Sequence, residues 1–208
     1  MSKAVMLSIR PKWCEKIASG EKTIEVRKTR PKQNPPFKCY IYCTKGRPDL
    51  NIPISQERLM RDYLETGSMK SLNCPLGNGK VICEFTCDRI YGLAPLNHAP
   101  DDVEQQACMT REEIVRYLKG VGYGWHILDL KIYDNPQELS KFRVEDKPAI
   151  KACKHRFRAG QPEYVARHGG WLQGGWGCMK NGEPEWCENC LTKPLTRPPQ
   201  SWCYVEEG

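Results

Sequence analysis

Lys22, Glu25 and Arg27 stand close together in the run Gly20-Glu21-Lys22-Thr23-Ile24-Glu25-Val26-Arg27. An ammonium can stabilise an oxyanion, or activate a nucleophile if burial lowers its pKa; a carboxylate can accept a proton or hydrogen-bond a base edge; a guanidinium binds phosphate or carboxylate. Read as a strand of period two, the run places Ile24 and Val26 on one face and Thr23, Glu25 and Arg27 on the other, with Lys22 at the entry. One face is then core and the other chemistry. That reading requires the three heads to share a hollow, since a half-exposed strand with alternating charges is otherwise only a solvated ladder.

Cys153, Cys178, Cys187 and Cys190 form the second candidate group. Cys187-Glu188-Asn189-Cys190 is a close pair of the kind that holds zinc, and four thiolates satisfy tetrahedral Zn at roughly 2.3 Å each. His155 or His168 could replace a cysteine. The surrounding stretch needs such a clamp: from about residue 148 to 193 it interleaves Lys151, Lys154, Arg156, Arg158, Arg167 and Lys180 with aromatics and glycines, and no apolar period survives. A segment with so little core is ordered by metal binding more readily than by burial. Four unligated cysteines in a loop is the alternative, and a redox role for the close pair lacks the flanking strand and helix of a thioredoxin-like motif.

The elements that must position these groups are short. Residues 3–9 alternate as a strand. Pro11 to Gly20 reads as a helix with proline at its start, Trp13 and Ile17 one turn apart, and glycine closing it. Pro31, Pro35 and Pro36 make residues 29–36 an extended loop. Phe37 to Thr44 is the clearest strand, with Cys39, Ile41 and Cys43 on one face and Lys38, Tyr40, Tyr42 and Thr44 on the other; the aromatic face either stacks a base or packs on a helix. Ser55 offers a cap for a helix through Leu59 and Leu64, and 66–79 reads as loop. Lys80 to Tyr91 resumes a strand. Thr110-Arg111-Glu112-Glu113 is a capping box ahead of a helix whose buried stripe is Ile114, Tyr117 and Leu118. A glycine-rich turn at 120–124 then leads into an alternating strand from Trp125 to Tyr133.

Leu7-Ser8-Ile9-Arg10-Pro11-Lys12-Trp13 and the run from Ile17 to Arg27 resemble the opening of ASCH domains, a branch of the PUA-like superfamily with the signature Gly-x-Lys-x-x-Glu, here Gly20, Lys22 and Glu25. Gly79 to Phe85, Tyr123 to Ile127 and the closing Arg197 to Glu206 look like later parts of the same domain. The resemblance implies an α+β, mainly β fold: a PUA-like small β-barrel with flanking short helices and, with the cysteines, a zinc-stabilised insertion. Residues 1–150 would form the barrel, 151–193 the basic Cys/His insertion, and 194–208 a strand closing the barrel. It also implies RNA or a modified nucleoside as partner in a cleft of Lys22, Glu25 and Arg27, with Trp13, Tyr42 and Trp125 as ligand-binding aromatics.

A small branch of the family resembles an amidohydrolase of acylated cytidine, with Lys22 and Glu25 then as catalytic groups. In that branch a hydroxyl residue taken as the nucleophile stands where this chain has Glu25, and the acidic residue before the capped helix has only Glu104 to match it. A ribonuclease, or a zinc-stabilised protein-interaction module, are the other classes the residues allow.

Composition bounds these readings. The 208 residues suit one domain with an insertion. The excess of 32 Lys and Arg over 25 Asp and Glu favours polyanion partners. No run approaches the roughly 18 apolar residues of a membrane span, and no secretory layout opens the chain, so a cytoplasmic location is expected. In that setting the twelve cysteines are reduced, small core residues apart from any that bind metal.

Overall fold

The computed structural model describes residues 3–46, 60–61, 63–64, 78–93, 99–146, 157–158, 176–180, 183–185 and 192–207. The first half contains β1 (Ala4–Ile9), α1 (Pro11–Ala18), β2 (Ile24–Arg27), β3 (Phe37–Cys43), β4 (Val81–Cys87) and β5 (Ile90–Gly92). It is followed by α2 (Val103–Ala107), α3 (Arg111–Leu118), β6 (Tyr123–His126), β7 (Leu128–Gln137) and β8 (Phe142–Glu145). The last strands are β9 (Phe157–Arg158), β10 (Trp176–Lys180), β11 (Glu183–Glu185), β12 (Thr192–Pro194) and β13 (Trp202–Glu207).

Seven strands form one sheet in the order β12-β8-β13-β1-β3-β4-β7. β1 and β3 are parallel, and β13, β4 and β7 join antiparallel. Among the described residues the sheet is open, with β12 and β7 as its edges, which corrects the expected small barrel. β13 lies inside it between β1 and β8. Closure needs hydrogen bonds between edge strands some 55 to 65 positions apart in the chain, and local alternation carries no information about them.

Alternation does explain why both faces of the sheet are apolar. Val5, Leu7 and Ile9 of β1 join Cys39, Ile41 and Cys43 of β3 in a core that takes in Cys14 and Ile17 of α1 and Trp125. The opposite face puts Ala4, Met6, Tyr40 and Tyr42 against Leu139, Phe142 and Leu195. The aromatic face of β3 therefore packs, with Tyr40 and Phe142 centroids 4.8 Å apart. Cys14, Cys39, Cys43, Cys83 and Cys87 are buried free thiols.

A second, three-stranded sheet orders β2-β6-β5. Its far face packs Ile24, Val26 and Leu93 against Val103, Ala107, Ile114 and Leu118 of the two helices. The signature strand is thus covered on both sides. α3 starts with the expected box: Thr110 Oγ1 accepts from Glu113 N, and Thr110 N donates to the Glu113 carboxylate at 2.9 Å. Tyr117 departs from the expected stripe, standing 42% exposed while Ile114 and Leu118 are buried. The alternating run from Trp125 to Tyr133 is also two strands in different sheets, because β6 pairs β2 whereas β7 pairs β4. Ile127 alone separates them, and Asp129, with φ 51°, makes the start of β7 irregular.

β9, β10 and β11 form a third small sheet. The rest of 151–191 lies outside the described residues. No helix among the described residues is long and apolar enough to cross a membrane.

Candidate functional site

Gly20 explains how Lys22 reaches the interior. α1 is capped at Ser19, Gly20 turns the chain at φ +80°, and Lys22 N donates to Lys16 O at 2.9 Å. Among the described residues no neighbour lies within 4 Å of where a Gly20 Cβ would stand, so the left-handed backbone calls for glycine there. The next residues are tied to the end of α2: Thr23 N donates to Gln106 O at 2.9 Å, and the Cys108 thiol lies 3.3 Å from Glu21 O.

Inside this frame the Lys22 side chain is 1% exposed, Glu25 9% and Arg27 7%. Lys22 Nζ donates to Ala107 O at 2.7 Å, satisfying a carbonyl at the C-terminus of α2. It stands 3.5 Å from Glu25 Oε2 and 5.0 Å from the centroid of the Trp13 ring, which Lys12 also approaches at 5.0 Å. Arg27 Nε is 3.1 Å from Glu25 Oε1 without the alignment of a hydrogen bond, an ion pair on charge and distance alone. Its Nη2 donates to Ser8 O at 2.9 Å, and Nη1 lies 3.4 Å from both Ser201 O and Ser201 Oγ.

Two cations around one carboxylate leave one positive charge in excess. Burial holds the Lys22 amine below its ordinary value, and the neighbouring Glu25 carboxylate only partly restores it. The group is also under-satisfied: besides Arg27 Nε, the buried Ser8 Oγ and Trp125 Nε1 have no hydrogen-bond partner among the described residues. Both adjoin the triad, Ser8 through its carbonyl and Trp125 as the cross-strand partner of Glu25. Chemically, such a cluster suits an anionic or carbonyl group, and an ammonium whose proton is held less tightly than usual suits proton transfer.

Lys22, Glu25, Arg27, Trp13 and Trp125 are brought together. Trp125 is fully buried, edge-on to Phe37 and tilted against Trp202 at 6.1 Å. Tyr42 is not brought to them: it faces the second core, across the sheet. The heads face neither bulk water nor the two larger described clefts of about 680 and 580 Å³, whose linings include Ala4, Tyr40 and Val205 in one and Tyr42, Leu139 and Leu195 in the other. Glu104 turns outward to Arg111 at 2.9 Å. Cys153, Cys187 and Cys190, with His155 and His168, lie outside the described residues, as does the side chain of Cys178 on β10. Among the described residues, no three His, Cys, Asp or Glu side chains are grouped to hold a metal.

One polar pair went unread in the sequence. His126 Nδ1 meets Asp88 Oδ1 at 2.5 Å. Burial raises the Asp88 carboxyl, and the His126 hydrogen bond, a backbone hydrogen bond and the neighbouring positive charge, Arg89 included, together outweigh it, leaving it below its ordinary value. A histidine following the buried Trp125 was the available signal, but its partner is 38 positions away.

No family model matches the chain, and no curated protein matches it. Solved structures do. The crystal structure of ASCH from Zymomonas mobilis is similar at 12% identity and a TM-score of 0.47, covering 99% of this chain and 89% of that one. A serine-to-alanine mutant of that protein gives the same values. A tyrosine-to-phenylalanine mutant aligns at 15% identity and a TM-score of 0.42 over 66% of this chain and 77% of that one. The likeness is to ASCH structures, in fold alone.

Proposed function

We propose that this chain is a binding domain for RNA or a modified nucleoside, centred on Lys22, Glu25 and Arg27. The observation that carries the reading is the buried triad with its excess positive charge and its orphaned polar neighbours. Burying charge costs several kcal/mol per ion, and an apolar set of the same volume is often no less stable. A fold gains little from such a group unless something binds it. Phosphate or a base carbonyl matches the guanidinium and ammonium, a base edge matches Glu25, and the Trp13 and Trp125 rings offer apolar walls.

The depressed Lys22 amine favours a second reading, hydrolysis of an acylated nucleoside, with Lys22 as activator and Glu25 as proton acceptor. Two measurements test both readings. Titration of RNA oligonucleotides and of cytidine into the wild type and Lys22→Ala should show binding that the substitution weakens. Turnover of N-acylated cytidine that disappears in Lys22→Ala would favour the enzyme, and absence of turnover in both would favour the binder. Absence of both binding and turnover in the wild type would end the proposal.

A further inference from the structure

Beyond Arg27 the chain leaves β2 as Lys28-Thr29-Arg30-Pro31-Lys32. Its inward side is anchored on β13: Thr29 Oγ1 accepts from Trp202 Nε1 at 2.9 Å, Lys32 N donates to the Tyr204 hydroxyl at 2.9 Å, and Pro31 is buried. Lys28, Arg30 and Lys32, two positions apart, are exposed, as is Thr29 between the first two. Arg30 precedes a proline, which biases it toward extended backbone. At about 6.6 Å per two extended residues, the three cations span about 13 Å, comparable with three successive phosphates of an extended single strand.

Two of these cations stand over aromatic rings. Lys28 Nζ is 5.3 Å from the Tyr117 centroid, and Arg30 Cζ is 5.7 Å from that of Tyr123. Tyr117 is the ring that α3 leaves out of the core, and Arg116 and Lys119 beside it are also exposed. Among the described residues, Lys28, Arg30 and Lys32 have no ion-pair partner, whereas Lys16, Lys38 and Lys80 are each paired with a glutamate. Unneutralised cations beside an exposed ring, Tyr117, and a half-buried one, Tyr123, form the kind of surface that holds single-stranded nucleic acid, where charge follows the backbone and rings or guanidinium planes stack on bases. An acidic peptide would match the charge and leave the rings unused.

We propose that Lys28, Arg30 and Lys32, with Tyr117 and Tyr123, hold the backbone of a single-stranded nucleic acid leading to or from the buried triad. This rests on the nucleic-acid reading above and adds a surface that reading does not contain. The ribbon continues directly from Arg27, so a strand on it runs past the Ser201 side of the triad.

The test is fluorescence anisotropy of a labelled single-stranded RNA decamer with the whole chain, titrated across sodium chloride concentrations. The wild type is compared with the triple variant Lys28→Ala, Arg30→Ala, Lys32→Ala. A control, Lys80→Ala, Lys141→Ala, Lys193→Ala, loses equal charge elsewhere. Each lost phosphate contact should reduce the slope of log affinity against log salt by about 0.7, so the ribbon variant should lose roughly 2 in slope and about tenfold or more in affinity. The control should keep the wild-type slope. If the wild type binds no decamer, the nucleic-acid reading falls and this surface with it. If it binds but the ribbon variant keeps its slope, or the control loses as much, only this inference is overturned. Equal competition by polyglutamate would overturn the assignment to nucleic acid.

Discussion

Replacing Glu25 by Gln removes one charge from the centre of the triad with almost no change of volume. At an effective dielectric of about 20, the ion pairs at 3.5 and 3.1 Å are each worth about 5 kcal/mol, and the carboxylate's own desolvation offsets several kcal/mol of that sum. The net expectation is a loss of about 3–5 kcal/mol, a large share of a typical stability of about 5–15 kcal/mol. For a chain of this size that lowers the melting temperature by roughly 6–20 °C.

The loss should also depend on pH with a definite sign. Lys22 already has a depressed folded pKa, and removing Glu25 takes away the group that raises it. Below that folded value the variant bears the full cost of a buried ammonium beside Arg27. Between it and the unfolded lysine value of about 10.4, the folded state releases a proton that the unfolded state keeps, so stability recovers as pH rises. Urea unfolding of wild type and variant at pH 7 and pH 9.5 measures both effects. A destabilisation under about 1 kcal/mol at pH 7, or one that grows toward pH 9.5, would refute the picture of one carboxylate holding two buried cations.

Other outcomes follow from particular contacts. Gly124→Ala would put a Cβ 2.9 Å from Ile24 Cγ2, a stiff β-branched side chain, and should cost about 1–3 kcal/mol by chemical denaturation. Asp88→Asn should flatten the acid limb of the stability curve, because the depressed Asp88 pKa contributes stability present above the unfolded carboxyl value and lost as pH falls through the folded one; an unchanged limb would contradict the His126 pairing. Alkylation of native protein near pH 8, followed by peptide mass spectrometry, should spare the buried Cys39, Cys83 and Cys87, the last with its pKa pushed up to about 12 by burial, and modify the more accessible Cys108 before these three. For the proposed zinc clamp of Cys153, Cys178, Cys187 and Cys190, purified protein should carry about one zinc per chain and the Cys187→Ser, Cys190→Ser variant should not; metal-free native protein ends that proposal.

By itself the sequence determined which residues share a face. Period two in Phe37–Cys43 separated Cys39, Ile41 and Cys43 from Tyr40 and Tyr42, and period two in Ile24–Arg27 separated apolar from charged side chains. The Thr110 box and the Gly20 stop were equally local, since a cap or a left-handed turn depends on a few adjacent residues. Only the tertiary structure decided what covers each face. It placed the signature strand in a small sheet between two cores, buried Lys22 under the end of α2, left Tyr117 outside, set Tyr42 across the sheet from Trp125 and kept the large sheet open. Those outcomes depend on pairings such as Glu25 with Trp125 and Lys22 with Ala107, 100 and 85 positions apart. A local pattern cannot encode its partner at such separations, because spacing fixes direction along the chain whereas burial depends on whatever the rest of the chain packs there.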